Sequence, residues 1–263
     1  MNSSGLNEKS PRYSVVSTNY NCAHALHRHL SSVYDGLAGI DFEYAVVDNF
    51  SRDGSIEVLR SWEENHGNFR YRSAHCTMGR GRNLAVEMTR GPILLVVDTD
   101  VVYGPLLRPF VERCSQEFPQ LGVQAIYLGV YPRDVWQRVG GRRNANVYED
   151  VDFWMRLHAR NLIRWYPVSM GENLKEETAV GGFDHLSRRY GRIERVERLL
   201  RREWDLWATR AYEGLDLARI IETHTIDFGL APAITTWTSP RPRLDLGERV
   251  RTFGRHLFQV IRA

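Results

Sequence analysis

The chain has 263 residues, of which 43% are hydrophobic and 25% charged, with a formal net charge of +3. This composition excludes a disordered or fibrous protein and supplies enough apolar material for a sizeable core. The longest uninterrupted apolar run, Ile93–Val97, is far shorter than the ~20 residues of a membrane-spanning helix.

Cys22, Cys76 and Cys114 are scattered and form no CxxC pair. A disulfide framework or a cysteine zinc site is therefore not expected. The first 30 positions hold no apolar segment flanked by basic residues, so a reducing cytoplasm is the expected compartment. The charge is unevenly spread. Residues 187–210 carry eight arginines against four acids, and residues 241–263 carry six against two. Each stretch is thus +4, and the rest of the chain is acidic by five charges. An acidic body with a basic carboxyl-terminal region predicts an anionic contact at that end.

Residues 1–11 are polar and read as a loose tail. Tyr13–Ser17 is a predicted strand, and Ala23–Leu37 a helix with Leu26, Leu30 and Val33 on one face. Tyr44–Val47 is a second strand, after which Ser51–Ser55 supplies turn and capping chemistry for a helix through Trp62. A strand over Phe69–Ser73 precedes a loop punctuated by Gly79 and Gly81 and a helix ending near Gly91. Ile93–Val97 is the most apolar strand. Farther on, the pattern predicts a strand within Gly122–Val130, a helix over Val151–Arg160 and a strand over Leu162–Val168. An arginine-rich helix over Ser187–Tyr212 and an amphipathic tail over Leu246–Ile261 follow. Alternating helices and continuously apolar strands predict an α/β fold with a mostly parallel sheet flanked by helices.

Ligands of such sheets bind outside the carboxyl ends of the strands. Acidic residues fall there: Asp48 ends the second strand, Asp98 and Asp100 end the most buried one, and Glu149-Asp150 opens a helix. Two carboxylates two residues apart would point the same way from an extended chain. They suit a hard divalent cation such as Mg²⁺ or Mn²⁺ shared with substrate phosphates. The bland reading is that they cap the next turn.

Tyr13–Asn21 (YSVVSTNYN), Val46–Ser55 (VVDNFSRDGS), Gly79–Asn83 (GRGRN), Asp98–Asp100 (DTD), Val139–Gly141 and Tyr148–Arg156 (YEDVDFWMR) occur in that order. In this order and spacing the chain resembles family 2 glycosyltransferases of the Rossmann-like GT-A fold. The resemblance covers about residues 12–190 and implies a metal-dependent, inverting transfer of a sugar from a nucleotide-diphosphate sugar of UDP or GDP type.

It implies that Ser17, Thr18 and Asn19 line the nucleotide pocket and that Asp48 accepts from the base or ribose. Arg82 and Asn83 would lie near the phosphates, and Asp98 and Thr99 would contact the donor. Asp98, Asp100 and a downstream histidine, His185, would hold the metal, with His224 the weaker choice for that histidine. Gly140 and Gly141 would let the backbone approach the donor sugar. Asp150 would be the general base, with Glu149 beside it. One base and one stabilised leaving group suffice for a single displacement.

The domains implied are a tail (1–11), a GT-A domain (12–205) and a basic, mainly helical extension (206–263). The acceptor is expected to be a glycan or a lipid-linked hydroxyl. The alternatives are a GT-A-like nucleotidyltransferase, whose glycine-rich basic signature after the first strand is missing here, and a non-catalytic membrane-associated protein retaining the fold.

Other features read more plainly. His24, His27 and His29 cannot all face one point of a helix and read as a solvated or partly packed face. Asn161–Trp165 (NLIRW) resembles the QxxRW signature of processive synthases but lacks its glutamine, so Trp165 is expected in the core. The arginine-rich segments read as a solvated cover or as a peripheral contact with an anionic membrane at its inner face. Nucleic acid is not expected, because no recognised motif supports it.

Overall fold

Successive residues of the apolar runs enter two different cores, as the two-residue period of a strand requires. A computed structural model of the chain describes residues 11–174, 193–194, 196–197, 200–201, 204–205 and 217–230. β1 (Tyr13–Asn19), β2 (Phe42–Asp48) and β4 (Ile93–Val97) are buried almost throughout. Val15, Val46 and Leu95 join one core, shared with Leu26, Leu30 and Val33 of α1 (Ala23–Gly36). Val16, Val47 and Val96 join the other, shared with Ala85 and Val86 of α3 (Met78–Glu87) and Phe153 and Leu157 of α6 (Glu149–His158). Full burial of each such side chain contributes roughly 1.5–3 kcal/mol relative to exposure, so covering both faces is what fixes these runs as central strands.

The seven-stranded sheet has the order β3-β2-β1-β4-β7-β6-β8, where β3 is Phe69–Ser73, β6 Gly122–Ile126, β7 Leu128–Pro132 and β8 Ile163–Ser169. β3, β2, β1 and β4 are mutually parallel, β6 is parallel to β8, and β7 runs antiparallel to both β4 and β6. The chain leaves β1 toward β2 and β3, helix α2 (Ser55–Asn65) lying between them, and returns on the other side at β4. The switch point between β1 and β4 is where a parallel sheet opens a crevice for ligand.

Several elements differ from the sequence expectation. The region 122–130 is two antiparallel strands rather than one, joined at Tyr127 with φ of 67°. β5 (Val101–Tyr103) and β9 (Gly171–Asn173) form a separate antiparallel pair, and α4 (Leu107–Glu117) and α5 (Arg133–Arg138) were not anticipated. Gly79 and Gly81 lie inside the first turn of α3, not in a loop before it, with Thr77 as the N-cap. A Cβ on Gly81 would come within 2.5 Å of Thr18 Cγ2, so glycine is what lets α3 press against the end of β1.

The stretch 217–230, expected in a separate extension, packs into the sheet domain. A helix over Leu217–His224 places Ile221 beside Trp165, and Ile226 donates to the Trp165 carbonyl at 2.8 Å. Phe228 packs against Phe110 and Tyr166. The described residues between 193 and 205 are helical. The tail 1–10, His185, the remainder of Ser187–Tyr212 and the segment Leu246–Ala263 lie outside the described residues. No helix among the described residues is long and apolar enough to cross a membrane.

Candidate active site

At the switch point lies a cavity of about 340 Å³, within the range of small-molecule sites. Thr18, Asn19 and Tyr20 reach it from the end of β1, and Asp98, Thr99 and Asp100 from the end of β4. Arg82 enters from α3, and Asn146, Glu149 and Asp150 from the entry to α6. Glu194, Glu197 and Arg201 close it from the helix beyond residue 192.

Asp98-Thr99-Asp100 forms a turn rather than the extended segment expected, with Val101 N donating to the Asp98 carbonyl at 3.2 Å. Both carboxylates nevertheless face the cavity. Asp100 is 3% exposed, and the Asp98 side chain is 37% exposed. One hydroxyl-bearing ring, that of Tyr103, braces this turn. Tyr103 Oη accepts from Asp98 N and donates to the Tyr127 carbonyl at 2.6 Å. Burial, then the charge of Asp98, raises the Tyr103 pKa well above the usual phenol value, so this ring stays a donor.

His29 of α1 contacts the Val101 carbonyl through Nδ1 at 2.7 Å and the Tyr44 hydroxyl through Nε2 at 2.6 Å. A protonated Nδ1 donating to the carbonyl leaves Nε2 to accept from Tyr44, an assignment made from the partners. His29 is therefore packed, not a metal ligand, and His27 packs edge-on to Trp62. Trp165 is fully buried, as read from the sequence.

His29 carries a measurable consequence. Burial lowers its pKa from 6.5 to about 4, against the Val101 carbonyl and the charges of Asp100 and Asp98. Between those two values the unfolded chain binds more protons than the folded one. Stability is thus complete above about pH 6.5 and falls as pH drops toward 4, by roughly 3 kcal/mol in all. Urea denaturation at about pH 7 and about pH 4.5 reads this slope, which His29→Gln is expected to flatten. An equal slope in that variant would acquit His29 as its source.

A chain of paired charges runs from Asp98 at the cavity through Arg82 and Glu149 to the buried Arg142. Arg82 Nη2 meets Asp98 Oδ1 at 2.5 Å, Arg82 Nη1 pairs with Glu149 Oε1, and Arg142 Nη1 reaches the same oxygen at 3.0 Å. Burial alone would lower the Arg82 pKa, but Glu149, Asp98 and Asp150 together carry it above its ordinary value. Burial, then the neighbouring Asp150 charge, raises Glu149 against the two arginines. Glu149 is thus committed to the guanidiniums at 3% exposure, whereas Asp150 is half-buried and accepts from Val151 N at 2.8 Å in the first turn of α6. A helix N-terminus favours negative charge there.

Five of the expected donor contacts do not line the cavity. Ser17 is buried against the Tyr44 hydroxyl. Asp48 is fully buried and spends its oxygens on Asn19 Nδ2, Ser51 N and Ser51 Oγ, so it braces the β1 and β2 ends instead of facing a base. Asn83 brackets Arg142, accepting from its N at 2.9 Å and donating to its carbonyl at 2.7 Å. Gly140 and Gly141 have φ of 75° and 65°. A Cβ on Gly141 would sit 2.6 Å from Asn83 Oδ1. The pair is needed to turn the chain and deliver Arg142 to Glu149, a local reason distinct from approach to a sugar.

Sequence reasoning missed Arg142, Tyr20 and Asn146, and above all Asp205. Asp205 is 5% exposed, and its Oδ2 accepts from Asn146 N at 2.8 Å and Val147 N at 3.2 Å. It clamps the loop that leads into Glu149 and Asp150. The spacing of Glu194, Glu197, Arg201 and Asp205 was a signal for one helix face turned inward.

A family model described as glycosyl transferase family 2 matches residues 14–172, more than half of the chain. The chain belongs to glycosyl transferase family 2. Solved structures with the same GT-A fold agree with that membership. A TarS fragment from S. aureus superposes with a TM-score of 0.53 at 15% identity, covering 61% of this chain and 59% of that one. A TarS structure in complex with UDP-GlcNAc gives 0.51 at 16%, with coverages of 72% and 66%. A mannosyltransferase from Pyrobaculum calidifontis, in complex with GDP-Man and Mn²⁺, gives 0.51 at 16%, covering 96% of this chain and 86% of that one. The family 2 chain thus spans less than two thirds of the length of the first TarS fragment. At these identities the likeness shows the fold alone.

Among the described residues of this family 2 chain, no three histidine, cysteine or carboxylate side chains are grouped to hold a metal. The donor set is two carboxylates, Asp98 and Asp100, facing one cavity. That fits a hard cation of the Mg²⁺ or Mn²⁺ kind, which completes its shell with water and substrate phosphates.

Proposed function

We propose that this enzyme moves a sugar from a nucleoside-diphosphate sugar to an acceptor hydroxyl with inversion, Asp150 being the general base. The observation that carries the reading is the convergence of Asp98, Asp100 and Asp150, with Arg82, on one cavity at the switch point. The TarS structures in complex with UDP and with UDP-GlcNAc, and the mannosyltransferase structure in complex with GDP-Man, support a donor of this class.

Asp98 and Asp100 would hold Mn²⁺ or Mg²⁺. When bound, the cation offsets the charge that grows on the departing diphosphate. Arg82, held charged by Glu149 and Asp98, adds a fixed positive group on the same wall. Asp150 takes the proton of the acceptor hydroxyl as it attacks the anomeric carbon. Asp150 suits this role better than Glu149, whose Oε1 is shared by two guanidiniums. Thr18, Asn19 and Thr99 would contact the nucleotide, and the acceptor would be a glycan or lipid-linked hydroxyl met in the cytoplasm at the inner face of the membrane.

The test is a thermal-shift panel of UDP- and GDP-sugars with and without Mn²⁺, because a ligand bound only by the folded state raises Tm by mass action. A Mn²⁺-dependent rise with at least one donor is expected. No shift with any nucleotide sugar would contradict the reading.

A further inference from the structure

Among the described residues, five large hydrophobic side chains are exposed, and three of them are helical residues between 193 and 205: Ile193 at 78%, Leu200 at 55% and Trp204 at 64%. At 100° per residue these three fall within an arc of about 40°. Glu194, Glu197 and Arg201, on the adjoining arc, line the cavity, and Asp205 clamps the loop before Asp150. The helical residues described between 193 and 205 therefore present an exposed apolar stripe beside a wall of the cavity.

The composition of the sequence that carries these three residues points to a partner. The segment 187–210 holds eight arginines and four acids, and three of those acids, Glu194, Glu197 and Asp205, are turned to the cavity or the loop. The segment 241–263 adds a further +4 to the carboxyl-terminal end, while the rest of the chain is acidic. A narrow apolar stripe ending in tryptophan within an arginine-rich segment has the make-up of a helix lying in a lipid interface. Arginines near such a surface are drawn to anionic headgroups.

We propose that the stripe Ile193–Leu200–Trp204 docks the enzyme on an anionic lipid bilayer, so that the cavity opens beside that surface. The docking itself stands on the stripe and the charge. Its use, delivery of a lipid-linked acceptor, rests on the transferase reading above.

Vesicle cosedimentation of the full-length protein separates the two. Binding is expected to phosphatidylglycerol-containing vesicles at about 0.05 M salt, with little to phosphatidylcholine vesicles, and to weaken toward about 0.5 M. The variant I193S/L200S/W204S is expected to bind at least about tenfold more weakly while hydrolysing donor sugar at the parental rate. As a second reading, brominated lipid should quench the parent protein's fluorescence more than that of W204F.

Three results overturn the proposal: no binding to anionic vesicles at low salt, undiminished binding by the triple serine variant, or equal binding to neutral vesicles. A parent dimer that the triple variant converts to monomer, without vesicle binding, would give the stripe to a second copy instead. Absence of donor turnover by the parent protein, with vesicle binding intact, would sink the transferase reading and leave the docking standing.

Discussion

Asp150→Asn is expected to cut turnover by about 10² or more while donor affinity stays within a few-fold. The amide keeps the shape of the side chain and its acceptor oxygen for Val151 N at 2.8 Å, but it no longer takes a proton at the acceptor hydroxyl. The loop before it stays clamped by Asp205, and the Glu149–Arg82–Asp98 chain is untouched. The loss therefore falls on kcat rather than on donor binding. Steady-state kinetics with nucleotide titration by calorimetry measures both. A variant with near-parental kcat would move the base to another carboxylate of the cavity.

Asp100→Ala is expected to remove turnover by roughly 10³-fold and to erase the Mn²⁺-dependent part of nucleotide affinity. It deletes one of two neighbouring carboxylates facing the cavity, and Asp98 already shares its Oδ1 with Arg82 at 2.5 Å. Calorimetric titration of UDP or GDP, with and without Mn²⁺, reads the effect without any acceptor. Asp100→Asn, which keeps the volume of a side chain only 3% exposed, controls for a folding defect. Unchanged Mn²⁺-dependent affinity in both variants would remove Asp98 and Asp100 as the metal site.

The central strands β1, β2 and β4 were legible because they are buried on both faces and so read as largely apolar runs, whereas the edge strand β3 alternates exposed arginines with buried or partly buried residues. Phe69–Ser73 and Ile93–Val97 coincide with their predicted limits. The β6–β7 hairpin was not legible, because its turn is made at Tyr127 without glycine, proline or asparagine to announce it. β5 and β9 are three residues each and find each other about 70 positions apart in the chain, beyond the reach of any local pattern.

The site divides along the same line. Carboxylates directly after a buried strand pointed to the cavity, which Asp98 and Asp100 line, and Asp150 joins them from the first turn of α6. Asp48 also ends a strand, but it turns into the structure to bind Asn19 and Ser51, a choice that strand position alone does not encode. Asp205 reaches the Asn146 backbone across 59 residues, and Arg142 is useful only because Gly140 and Gly141 bend it toward Glu149. Long-range polar closure of this kind depends on the finished fold.

The measurement that bears most directly on the central claim is the anomeric configuration of the first sugar released from a bound donor with Mn²⁺, followed by proton NMR before mutarotation. A single displacement driven by Asp150 predicts the configuration opposite to that of the donor, formed at a rate that Asp150→Asn lowers by about 10² or more. Release with retained configuration, or at the parental rate in Asp150→Asn, would contradict it.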